Sequence, residues 1–204
     1  MTARPLALDD IADQRAYERE RDAFRRAVIA EKKGRRVSVG PVVTLTFESR
    51  TTVRFQVQEM ARAERMPTDR QIQHELDVYN RLLPSPGELS ATLFLELTTE
   101  EQLRTWLPRL VGIERSVVLR IGEGGGAHLV RSVPEEDHES QLTRQEVTSA
   151  VHYVRFPMTP GQVVDFSAGP VTLLVDHPEY PDGHDGVQLT DATRALLDGD
   201  MAGP

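Results

Sequence analysis

The chain has 204 residues, with 24 Lys and Arg against 32 Asp and Glu, a formal net charge of −8. Hydrophobic residues make up 39%, enough at this length to bury roughly 70% of the unfolded surface without staples. Cys is absent, which removes disulfides, thiolate nucleophiles and thiolate-held zinc or iron–sulfur clusters, and the acidic balance argues against nucleic acid as a partner.

The N-terminus MTARPLALDDIADQ lacks an apolar core of signal-peptide length, and no apolar run approaches the ~20 residues of a membrane span. A cytoplasmic protein without membrane contact is the expectation. Residues 9–33 read as a long helix, capped by Asp9 or Asp10 and stopped at Gly34. Ala16, Tyr17, Ala23, Phe24, Ala27 and Val28 share one side at 100° per residue, with Glu20 projecting near its centre. Val43, Leu45 and Phe47 alternate, as do Val53, Phe55 and Val57, which predicts two strands around a loop at 48–51. A helix from Thr52 onward is the alternative, because Val53, Val57 and Met60 also share a helical face.

Thr68 and Gln71 form a capping-box pattern that opens a helix over 69–82. A central strand over 89–97 follows the Pro84, Pro86 and Gly87 loop. Thr98 and Glu101 then open a helix over 99–110, with Leu103, Trp106, Leu107 and Leu110 inward. Strands over 117–121 and 128–133 flank a glycine-rich turn, and 134–146 is polar with a short helix. A strand over 148–156, a helix over 160–168, a strand over 171–175, a turn-rich loop over 178–187 and a helix over 190–197 complete the chain, leaving 198–204 as a disordered tail. This order predicts an α+β fold: a mixed, largely antiparallel sheet with a long N-terminal helix and several packing helices. One domain over 1–204 is expected, with 84–88 the place where an N-terminal third would separate.

Complete catalytic motifs are missing. Gly122, Gly124 and Ala127 match a relaxed dinucleotide fingerprint, but a strand follows them instead of the helix that pyrophosphate binding requires. Glu135 and His138 form one Glu-x-x-His unit where a di-iron bundle needs two. The basic run Lys32, Lys33, Arg35 and Arg36 suits an anion, or simply complements a helix C-terminus.

Alternation places His152 among Ala150, Val154 and Phe156, as a hydrogen-bonded core residue or a ligand. Asp176 and His177 sit where a strand ends. Glu20, Glu59, Glu64 and Glu75 lie on or beside apolar stripes, where carboxylates need partners such as Arg54 or Arg62. The sharper alternative gathers His152, His177, Asp176, Glu59 and Glu75 on a divalent metal such as iron, manganese or zinc. Catalytic residues and substrate are not readable from these patterns.

Several separated strings carry a resemblance: YERERDAFRRAVIAEKK (17–33), RFQVQEMARAER (54–65), ELDVYNRLLP (75–84), LVGIE (110–114), VHYVRF (151–156) and VDHPEY (175–180). Over roughly 5–198 the chain resembles the bacterial family known as domain of unknown function 3501. The resemblance transfers no activity and no catalytic residues. Members of that family are often encoded near rubrerythrin-like and iron–sulfur oxidoreductase-like proteins. This implies a redox or iron-related setting. The lack of a complete nucleophile, cofactor or phosphate motif points to a non-enzymatic binding or accessory module, here with a redox-type protein partner. A metal-dependent protein or enzyme with a His/carboxylate site is the alternative.

Overall fold

Asp13 starts the first long helix, α1 (Gln14–Arg35), by accepting bonds from the amides of Arg15 and Ala16. Asp9 and Asp10 lie in a separate 3-10 turn instead. The helix runs through Gly34, and Tyr17 and Val28 are its buried apolar anchors. Glu20, expected on the apolar side, is exposed. The computed structural model describes residues 4–135 and 147–202. The short helix expected in 134–146, and His138 of the Glu-x-x-His unit, lie outside the described residues.

A hairpin of β1 (Arg36–Val39) and β2 (Val43–Phe47) follows. The strand expected over 53–57 is instead helical, within α2 (Arg50–Ala63), as the alternative had it. Ser49 decides this: its hydroxyl accepts from the Thr52 amide while the Thr52 hydroxyl accepts from the Ser49 amide, a reciprocal cap where a hairpin loop was expected. Val53 and Val57, four apart, then bury on one face, and their alternation with Phe55 is coincidental. Next come α3 (Asp69–Tyr79), β3 (Glu88–Leu95), α4 (Glu100–Arg109), β4 (Val117–Ile121), β5 (His128–Arg131), β6 (Val133–Pro134), β7 (Val151–Pro157), α5 (Pro160–Ala168), β8 (Val171–Val175), β9 (Val187–Gln188) and α6 (Asp191–Ala202). The box that caps α4 is Thr99 with Gln102, one residue later than the sequence pattern suggested. The supposed loose tail is helical through Ala202, with Met201 buried.

The strands form two antiparallel sheets, ordered β1-β2-β3-β7-β6 and β5-β4-β8-β9, so the fold is α+β. Alternation explains the layers. Val37, Leu45, Phe47, Leu93, Val154 and Phe156 of the first sheet join Val117, Leu119, Ile121, Leu173 and Val175 of the second in one core. Each such side chain contributes about 1.5–3 kcal/mol on burial. The other face of β2 and β3 is buried yet polar, through Thr44, Thr46, Glu48, Ser90 and Thr92. Helix α1 packs against β2, and the Glu48 carboxylate accepts bonds from the hydroxyls of Thr52, at the start of α2, and Thr92. A smaller apolar cluster sits around α2 and α3: Leu6, Ile11, Val53, Val57, Leu76, Leu82 and Leu83.

Tyr180, fully buried in the 176–186 loop, fastens the β1–β2 hairpin. Its hydroxyl accepts from the amides of Val42 (3.0 Å) and Val43 (3.2 Å) and donates to the Val39 carbonyl (2.8 Å). Gly40, at φ +65°, makes room: a Cβ there would lie 2.6 Å from that oxygen. Tyr180→Phe should therefore leave three hairpin groups unsatisfied and cost about 1–3 kcal/mol in chemical denaturation. An unchanged midpoint would show that the hairpin holds without this anchor.

Candidate functional site

The five nominated ligands fall in four separate places. Glu59 on α2 faces α1, where Tyr17 and Arg21 stand one turn apart. Arg21 grips both carboxylate oxygens, Nε and Nη2 each at 2.8 Å, and the Tyr17 hydroxyl donates at 2.6 Å. The Arg21 guanidinium holds the Glu59 carboxyl down at about 2, and the same carboxylate raises the Tyr17 phenol above its usual range, behind burial as the larger cause. The expected partners work elsewhere: Arg62 binds Glu18, and Arg54 donates to the Asp10 carbonyl. Glu75 on α3 is half-buried, and burial, then the nearby Glu64 carboxylate, raise its pKa.

His152 is buried at 3% exposure on the core face of β7, opposite Leu93, where alternation placed it. Its Nε2 lies 2.9 Å from both the Thr148 hydroxyl and the Ser149 carbonyl. A carbonyl only accepts, so Nε2 carries the proton and Nδ1 presents its lone pair. That lone pair faces Glu114 Oε2 at 4.0 Å, an oxygen with no hydrogen-bond partner and a residue 3% exposed. Burial pulls His152 below its usual pKa, with Glu114 and the Ser149 bond opposing.

His177 organises a loop. Its Nε2 donates to the Val111 carbonyl at 3.1 Å, and its Nδ1 accepts from the Glu179 amide at 3.2 Å. Asp176 next to it turns outward and pairs with Arg131 at 2.6 Å. Among the described residues no three of His, Asp and Glu are arranged to hold a metal ion. The five candidates are thus not brought together; each of the two imidazoles is committed to local main-chain bonds. The basic run is likewise used internally. Arg35 is buried against Asp200 and Glu31, and Arg36 pairs with Glu96, which leaves no four-residue anion patch.

The concave surfaces among the described residues include one of about 340 Å³ beside His128 and Asp165, and two more. One, of about 290 Å³, lies between the start of α1 and the end of α2, beside Tyr17, Arg62 and Met66. Its buried amide, Gln58, already bonds the N–H and C=O of Ala12. The other, of about 400 Å³, runs over the outer face of the second sheet. Val118 and Arg120 of β4, Leu129 and Arg131 of β5, and Leu174 of β8 share that face by register. Leu129 is 64% exposed. Sequence inspection missed this surface because Arg120 and Arg131 are ordinary strand residues until the register sets them side by side. Glu114 was missed for a similar reason: it sits in a 3-10 turn, where no periodicity marks a buried side.

Residues 5–201 match the family described as Protein of unknown function (DUF3501). The chain belongs to this family. Within the DUF3501 fold, a solved relative bears out the architecture: the 1.90 Å crystal structure of a novel protein of unknown function from Burkholderia pseudomallei K96243. It is 37% identical, with a TM-score of 0.87, over 97% of this chain and 100% of that one. No curated protein matches this DUF3501 chain. None of its described helices is long and apolar enough to cross a membrane.

Proposed function

We propose that the chain is a non-enzymatic binding or accessory module, one domain working in the cytoplasm with a redox-type protein partner. The observation that carries this is the open outer face of the β5-β4-β8-β9 sheet. Leu129 stands exposed there beside Arg120, which pairs with no acid among the described residues. A surface of this kind suits contact with another protein. The redox or iron-related setting rests on the company that members of the family keep in their genomes.

A metal-dependent role is the second reading, with His152, His177, Asp176, Glu59 and Glu75 as candidate ligands. The unpartnered Glu114 oxygen facing His152 favours it. The saturation of Glu59 by Arg21 and Tyr17 weighs against that residue.

One preparation tests both. The chain, carrying an epitope tag without histidine, is isolated from its own bacterium without chelator. The expected result is near-stoichiometric retention of a protein that contains a redox centre, with the chain's own metal content unchanged by His152→Ala or His177→Ala. Failure to retain any partner overturns the accessory role. Stoichiometric metal that either substitution removes establishes the second reading.

A further inference from the structure

Arg120 is the fourth of the five residues of β4, an inner strand flanked by β5 and β8. Its register neighbours are Leu129 on one side and Thr172 on the other, with Val118 and Leu174 on the same face. A half-buried guanidinium among apolar side chains has lost part of its water and gains most from an anion. Among the described residues it has one long contact, Nη2 to the Thr172 hydroxyl at 3.5 Å. No carboxylate pairs with it among the described residues. The other arginine of the face, Arg131, is held by Asp176. In a chain with 32 acids against 24 basic side chains, an inner-strand arginine that meets no acid among the described residues suits an acid supplied by a partner.

The backbone adds a second element. β5 is the edge strand of its sheet, so one row of its main-chain groups has no strand partner among the described residues. An incoming strand laid against that edge alternates its side chains, sending every second one to the outer face. Arg120 lies two strand spacings, about 9–10 Å, from such a strand, within reach of an extended arginine and glutamate together.

We propose that this face binds an extended acidic segment of a partner protein, laid along β5. A carboxylate of the segment rests on Arg120, and its apolar side chains pack on Leu129 and Leu174. This rests on the accessory-module role and names the chemistry of its partner. A second copy of this chain fits poorly. An isologous pairing of two β5 edges would bring Arg120 and Arg131 of each copy toward their own twins.

The test follows amide shifts of isotope-labelled full chain by NMR during titration with three capped eight-residue peptides. One alternates Glu with Val and Leu, one has Lys in place of Glu, and one has Ser in place of the apolar residues. Saturable shifts on β4, β5 and β8 are expected with the first peptide alone. Binding should weaken about tenfold in Arg120→Gln, survive in Arg120→Lys, and fall as salt rises. Unshifted amides elsewhere in the variants' spectra establish that they fold. Equal binding of the Lys peptide, an affinity indifferent to Arg120→Gln, or no shifts on this face overturns the proposal. A concentration-dependent dimer in sedimentation, lost in Arg120→Gln, overturns it in favour of self-association. If the peptides fail while the host partner is still retained by Arg120→Gln, the acidic segment is wrong and the accessory role stands. If no partner is retained at all, the accessory role itself fails.

Discussion

Arg35→Met should lower the unfolding free energy by about 3–5 kcal/mol, measured by chemical denaturation at neutral pH. Arg35 ends α1 at 5% exposure, and its guanidinium joins three parts of the chain. It forks onto Asp200 of α6, and its Nε lies 3.1 Å from Glu31 one turn back on α1. Glu31 in turn accepts at 2.5 Å from the hydroxyl of Ser49, the residue that caps α2. Burial raises the Asp200 carboxyl above its usual pKa, and Arg35 opposes that rise. Methionine fills most of the space but leaves Asp200 and Glu31 facing each other without a cation. The loss should shrink on mild acidification, because a proton taken up by Asp200 replaces the missing charge. Adding Asp200→Leu to Arg35→Met should recover most of the stability, since a matched apolar pair costs less than a lone buried charge. A loss below about 1 kcal/mol for the single variant would show that water reaches this network freely.

The fold was legible wherever local chemistry and burial agree. The alternation of Val43, Leu45 and Phe47 marked a strand, and the strands expected over 117–121 and 171–175 are present, because both sheets turn one face to a shared core. Misassignments arose where two periods coincide or a cap outranks a pattern. Val53, Phe55 and Val57 satisfy a strand and a helix alike, and Ser49 with Thr52 settles the matter through four local bonding groups. The division into two sheets was not legible, since pairing of β2 with β3 or β4 with β8 depends on contacts distant in sequence. The site was less legible still. His152 was placed correctly in the core, yet the residue facing it, Glu114, lies in a turn whose burial comes from β6 and β7 packing over it. Asp176 was chosen as a strand-end acid, and its real neighbour Arg131 belongs to another strand. Arg120 drew no notice because a lone arginine in a strand is unremarkable until the side chains around it are known.

The Glu59 cluster should make the chain lose stability in acid over a defined window. Folded, Glu59 titrates at about 2, against 4.5 for an unperturbed glutamate. A depressed carboxyl stabilises the fold fully above about 4.5, where it is ionised in both states. That contribution drains away as pH falls from about 4.5 toward 2, because the unfolded chain takes up the proton first. The carboxylate is 26% exposed, so the contribution is about 2–3 kcal/mol, at the lower end in high salt. Glu59→Gln should flatten this part of the stability profile. Tyr17→Phe should shift it less, because Arg21 is the larger cause of the depression and the phenol only adds to it. A profile unchanged in Glu59→Gln would mean that Arg21 does not hold the carboxylate in solution. Glu59 would then be available to bind a metal ion, and the strongest objection to its membership of a metal site would fall. An acid-sensitive profile abolished by Glu59→Gln fixes the residue instead as the clamp between α1 and α2.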